Sequence, residues 1–152
     1  MVAQRPILKL DYCKLHPGAL PPTRAVGDSA AFDVSAFLLS ETGRASKRVL
    51  SVRSTVVIPT AIAVRPPPGH IVLVCSRAGY ASKSVFVANA PGVVDPNYTG
   101  ELLISLYNGG FEPFFVEHEH RIAQILVVPL PLTLLNEVEK MPNGRPSFLE
   151  AK

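Results

Sequence analysis

Apolar residues come along this chain in short runs, each broken after a few positions by proline, glycine or a polar pair. That spacing predicts strands rather than helices, because a half-buried strand needs only a handful of residues and an amphipathic helix needs a sustained helical repeat. The first predicted strand begins at residues 7–10. An extended connector at 17–22 follows, its prolines excluding helix. Runs at 32–39, 49–52, 55–58 and 61–64 are next, with a polar turn at 41–47 and proline breaks at Pro59 and Pro66-Pro67-Pro68. Residues 70–75 form a continuous apolar run, the pattern of a strand buried on both faces. Residues 77–82 fit one helical turn. Runs at 85–88, 102–107, 114–116 and 122–128 complete the set, and Asn108-Gly109-Gly110 predicts a hairpin turn. Many short strands separated by turn signals indicate an all-β sandwich or jelly roll.

Composition narrows this to one domain of 152 residues, 47% of them apolar, with 15 prolines, 10 glycines and no low-complexity tract. A formal charge of +3, carried by scattered lysines and arginines, is too small to argue for non-specific nucleic-acid binding, and no specific nucleic-acid partner is expected. Cys13 and Cys75 match no metal or redox spacing and read as free or buried thiols in a reducing compartment. The charges within residues 1–10 break any signal-peptide core, and this segment reads as strand. The longest apolar run, 122–135, contains Gln124, Thr133 and two prolines and falls short of the ~20 residues that a membrane helix needs. A soluble intracellular protein, cytoplasmic or nuclear, is expected.

The densest chemistry lies in Asn89-Ala-Pro-Gly-Val-Val-Asp95-Pro-Asn-Tyr98-Thr-Gly100. An amide with both donors and acceptor suits one edge of a nucleobase, a carboxylate can activate water, and a phenol ring can pack on a sugar. Each residue also has an ordinary use: Asn89 and Asp95 in turns, Tyr98 as a core aromatic. Three further segments carry charge or amide groups between small residues: Asp28-Ser-Ala-Ala-Phe-Asp33-Val, Ser76-Arg77-Ala78-Gly79-Tyr80-Ala81 and Arg121-Ile-Ala-Gln124-Ile. Glu117-His118-Glu119-His120 has the composition of a metal tract, but in a turn its alternating side chains need not converge, and it reads as a solvated turn.

In this order and spacing, the four segments resemble the motifs of the trimeric deoxyuridine triphosphatases, the dUTPase family. The resemblance covers residues 7–129 and is supported by the core runs Val57-Ile-Pro59-Thr60-Ala-Ile-Ala-Val64 and Leu106-Tyr-Asn108. It implies a jelly-roll (β-clip) subunit over 1–131, a C-terminal arm over 132–152 that crosses to a neighbouring subunit, and a homotrimer with sites at its interfaces. It further implies hydrolysis of dUTP to dUMP and pyrophosphate with Mg2+ bound mainly through the triphosphate. Asp95 would be the general base. Asn89, with Gly92 and Val94 of a hairpin, would read uracil, and Tyr98 would pack on the deoxyribose. Arg77, Ala78, Gly79, Arg121 and Gln124 would hold phosphates, and Asp33 would approach the metal through water.

Two departures stand out. Ala78 replaces the family's serine, and the Gly-rich C-terminal arm has no recognisable counterpart, Arg145-Pro-Ser-Phe148 lacking glycines between Arg and Phe. Ser76 and Tyr80 are milder changes. These departures leave open a weakened or inactive dUTPase-like binding or signalling protein. The related dCTP deaminases are a third reading, for which Glu101 is the nearby carboxylate.

Overall fold

The computed structural model describes residues 7–140. In chain order its elements are β1 (Asp11–Lys14), β2 (Phe32–Ser35), β3 (Lys47–Leu50), β4 (Thr55–Ile58), β5 (Ile62–Arg65), β6 (His70–Cys75), α1 (Ala78–Ala81), β7 (Val85–Val87), β8 (Gly92–Val94), β9 (Ile104–Asn108), β10 (Phe114–Glu117) and β11 (Arg121–Pro129). The all-β expectation holds, and the single predicted helical turn is α1. The strands form sheets of order β2-β11-β6-β8 and β4-β9-β7 and the pairs β1-β5 and β3-β10.

β11 organises the larger sheet. Its nine residues pair antiparallel with β2 along one edge and β6 along the other, so Gln124 stands opposite both Asp33 and Cys75. Its Ile122, Ala123 and Ile125 are fully buried. In β9 the pleat alternates, with Ile104, Leu106 and Asn108 inward and Ser105 and Tyr107 half-exposed. Ile58, Ile62, Val72, Val85 and Val116 close the core from the other strands.

Several sequence expectations shift. Residues 7–10 are not strand; pairing begins at Asp11, where β1 lies exposed along β5. The 32–39 run leaves its ladder after Ser35, because Ala36 N–H donates to the His120 carbonyl and Phe37 N–H to that of Pro59. β6 is buried on one face only: Val72 and Val74 point inward, while Ile71, Leu73 and Cys75 are half-buried. Asn108-Gly109-Gly110 does not close a hairpin, since β9 belongs with β4 and β7 whereas β10 pairs with β3. The buried Asn108 amide explains the departure: its Nδ2 donates to the carbonyls of Leu50 (3.0 Å) and Glu112 (2.8 Å), and its Oδ1 accepts from Gly110 N–H (2.9 Å), carrying the chain across to the β3-β10 pair. β7 and β8, which flank Asn89, pair with β9 and β6 respectively.

The Glu117–His120 tract is only partly solvated. His118 turns inward, its ring edge-on to Phe37 at 5.4 Å and its Nδ1 accepting from Leu38 N–H, whereas His120 folds back to accept from Glu117 N–H. After β11 the chain runs through exposed Leu132, Leu134 and Leu135 without regular structure. Arg145 and Phe148 of the expected arm lie outside the described residues, as do residues 1–6. No helix among the described residues is long and apolar enough to cross a membrane.

Tyr80 of α1 is buried against Phe114, the rings edge-on at 5.0 Å, and its hydroxyl has no hydrogen-bond partner among the described residues. Burial pushes its pKa up from 10.0 to about 12, with Arg77 opposing and Glu117 reinforcing the shift. An unfolded chain ionises this phenol from pH 10 upward while the folded chain does not. Its contribution to stability is therefore constant below pH 10, falls between pH 10 and about 12, and levels off above.

Two stability predictions follow from these contacts, both read by urea denaturation. Asn108→Ala should lose at least about 2 kcal/mol, because it strands buried carbonyl and amide groups. Tyr80→Phe should match or slightly exceed the parent at pH 8. It should also lack about 2–3 kcal/mol of the parent's stability loss between pH 9 and pH 12; equal losses in the two proteins would contradict the assignment.

Candidate functional site

One group of candidate residues gathers where β2, β11 and the start of α1 meet. The Asp33 carboxylate is buried, and both of its oxygens are taken by guanidinium groups. Arg77 Nε and Nη2 donate to Oδ1 and Oδ2 at 2.7 and 3.2 Å, and Arg121 Nη1 donates to Oδ2 at 3.3 Å. Arg77 Nη1 also donates to the Arg121 carbonyl at 2.9 Å. A planar fork fits this bidentate geometry and fixes the guanidinium plane. Two positive charges against one negative leave the cluster net positive. The Arg121 side chain is 52% exposed, so part of that charge faces solvent.

Gln124 faces the same edge from β11, donating from Nε2 to the Ser76 carbonyl at 2.8 Å and leaving its Oε1 and a second N–H. Ser76 itself holds β7 by accepting from Val87 N–H at 2.9 Å. Ala78 and Gly79 open α1 and are exposed. As the first residues of a helical turn, their amides have no intrahelical acceptor. The whole edge is suited to an anion: fixed cations, an amide side chain and backbone N–H groups.

The second group lies on the β8 side. Asn89, Gly92, Val94 and Tyr98 line a cleft of about 230 Å³ together with Val74, Val87 and Glu101. A Cβ at Gly92 would lie 3.2 Å from Asn89 Nδ2 and 3.4 Å from Val74 Cβ, so a side chain there would press on the Asn89 amide. Asp95 follows Val94 directly and is exposed, and its carbonyl accepts from Tyr98 N–H at 3.0 Å. Tyr98 is 43% exposed, and its hydroxyl donates to the Glu101 carbonyl at 2.7 Å. Asn89 and Asp95 take part in none of the side-chain hydrogen bonds or ion pairs among the described residues.

The two groups do not converge within one chain. β8, which carries Asp95 at its end, is three strand spacings from β2, which carries Asp33. That is roughly 14 Å across the sheet. Along β6 they separate further: Val94 pairs with Val72, whereas Arg77 lies beyond Cys75.

Glu101 was legible in sequence only as a carboxylate near the cleft. Its Oε1 accepts from the amides of Ala61 (2.6 Å) and Thr60 (3.1 Å), so it holds backbone and is not turned toward a bound base.

Comparison with known proteins agrees with the fold and the motifs. The dUTPase family model matches residues 20–146. The deoxyuridine 5'-triphosphate nucleotidohydrolase of Wolbachia pipientis is 34% identical over 140 residues, covering 90% of this chain and 88% of the relative. The enzyme of that name from Leptospira interrogans is 33% identical over 121 residues, covering 79% of each chain. Among solved structures, a dUTPase of Staphylococcus bacteriophage 80alpha superposes with a TM-score of 0.78 at 23% identity, covering 95% of this chain and 99% of that one. A dUTPase of phage phi11 of S. aureus gives 0.75 at 22% identity, covering 90% and 100%. The jelly-roll architecture is shared with those structures, and the family match over most of the chain, with relatives above 30% identity, means that this protein belongs to the dUTPase family.

Proposed function

We propose that this protein hydrolyses dUTP to dUMP and pyrophosphate, at sites assembled between the subunits of a homotrimer. The observation that carries the reading is the cleft lined by Asn89 and Tyr98 with the exposed Asp95 carboxylate beside it, in a chain of this family. Asn89 and the backbone of Gly92 to Val94 bind the base, and Tyr98 packs on the sugar. Asp95 takes a proton from a water that attacks the α-phosphorus in line. As that P–O bond forms, the bond to the bridging oxygen breaks and pyrophosphate leaves.

The leaving phosphates need positive groups that Asp95's own subunit holds too far away. A second subunit brings its Arg77, Arg121, Gln124 and the amides of Ala78 and Gly79 to the cleft, which makes oligomerisation part of the chemistry. The same reading places the protein with the nucleotide pool, inside the cell.

Mg2+ fits this site as an ion carried on the triphosphate, where it neutralises charge, and the phosphates supply its oxygens. Direct protein ligation does not fit. Both Asp33 oxygens are engaged by arginines, and no group of three or more His, Cys, Asp or Glu among the described residues could hold a metal. We therefore assign Asp33 to fixing the guanidinium groups in preference to the metal's water shell. Glu101, held by two amides, gives no support to deamination.

The test is pyrophosphate release with Mg2+, using dUTP, dCTP, dTTP and UTP. Turnover should be confined to dUTP and fall by about 10²–10⁴-fold in Asp95→Asn. Ala78→Ser supplies a hydroxyl to the phosphate chain and should raise kcat about tenfold. Absence of turnover in both the parent and Ala78→Ser, with a non-hydrolysable dUTP analogue still bound, would replace hydrolysis with the binding-protein reading.

A further inference from the structure

Packing within one chain leaves the Tyr98 ring partly in solvent. It is 43% exposed, and an aromatic that far in solvent is free to change rotamer unless its polar end is tied. The tie is the hydrogen bond from its hydroxyl to the Glu101 carbonyl at 2.7 Å. Gly100 makes the close approach possible, since a Cβ there would lie 2.7 Å from Tyr98 Oη and 2.9 Å from Cζ.

The residue that carries this carbonyl is itself anchored. Glu101 Oε1 accepts from Ala61 N–H at 2.6 Å and Thr60 N–H at 3.1 Å. Ala61 has a φ of 51°, in the left-handed region that non-glycine residues seldom adopt, and the turn aims two successive amides at one point. Thr60 Oγ1 donates to the Leu102 carbonyl at 2.6 Å, and Leu102 N–H to that of Ile62 at 2.8 Å. Residues 101 and 102 are thus clasped onto the β4–β5 turn, and the clasp ends at the Tyr98 hydroxyl.

We propose that Glu101 is a positioning residue for sugar selection: its carboxylate anchors the backbone that holds Tyr98 against the sugar, and so governs discrimination against a ribonucleotide. This rests on the reading of Tyr98 as the sugar platform. A ring free to swing leaves room for a 2′-hydroxyl, so loss of the anchor shows as gained use of UTP rather than as lost chemistry on dUTP.

The experiment measures kcat/KM for dUTP and UTP in the parent, Glu101→Ala, Glu101→Gln, Tyr98→Phe and the Glu101→Ala/Tyr98→Phe double variant. The dUTP-to-UTP ratio should fall roughly tenfold in Glu101→Ala, mainly through a lower KM for UTP. Glu101→Gln keeps an oxygen acceptor and should restore most of the ratio. Tyr98→Phe keeps the ring but cuts the tie and should match Glu101→Ala, and the double variant should be no worse than either single. An unchanged ratio in Glu101→Ala with both substrates slowed alike, or single effects that multiply in the double, would overturn the proposal. Should Glu101→Ala not fold, an unchanged ratio in Tyr98→Phe overturns it equally. A parent inactive on dUTP would count against the hydrolase reading alone; the ratio of Kd values for dUMP and UMP across the same variants then decides the positioning role.

Discussion

The order β2-β11-β6-β8 is the constraint on which the site depends. Antiparallel pairing fixes the spacing of neighbouring strands, so an element at one edge of this sheet cannot approach an element at the other without breaking the ladders between them. Asp33 lies on the β2 edge, with Arg121 on β11 and Arg77 just past Cys75 of β6, whereas the Asp95 loop leaves the β8 edge beyond the Val94–Val72 pair, at the other end of β6. On the proposed reading the chain carries two half-sites, one that chooses a nucleoside and supplies a base and one that supplies positive charge. Each is well formed within one chain, and in the homotrimer we propose, assembly joins them.

Preorganisation takes a different form in each half. On the phosphate side it is electrostatic: a buried carboxylate holds two guanidinium groups and leaves a net positive charge facing outward, so little reorganisation is needed when an anion arrives. On the nucleoside side it is steric. A Cβ at Gly100 would displace the Tyr98 ring and one at Gly92 would crowd Asn89, and hydrogen bonds at Glu101 and Leu102 hold the loop. Ala78 is exposed, and on the proposed reading its methyl group stands where a serine hydroxyl would meet the phosphate chain.

Much of the strand set was legible because runs such as Thr55–Ile58 and His70–Cys75 are bounded by proline, glycine or polar residues. Pairing was not legible, because it is decided by contacts far apart in sequence. Asn108 reads locally as a hairpin turn, yet its amide bonds to Leu50, 58 residues away, and sends the chain to another sheet. The site shows the same division. Asn89, Asp95 and Tyr98 stand together in one segment and announce their chemistry. The Asp33 ion pairs reach across 44 and 88 residues, and the Glu101 carboxylate finds its amides 40 and 41 residues back, so their roles emerge only in three dimensions.

The most direct test of a site divided between subunits is complementation. Asp95→Ala and Arg77→Ala proteins, each inactive alone, are mixed under conditions that exchange subunits, and dUTP turnover is measured. If one chain supplies the base and another the arginine, mixed trimers contain intact sites, and random assembly of equal amounts should recover roughly a quarter of parent activity. If exchange is demonstrated and no activity returns, both groups act within a single chain, and the division of the site is contradicted.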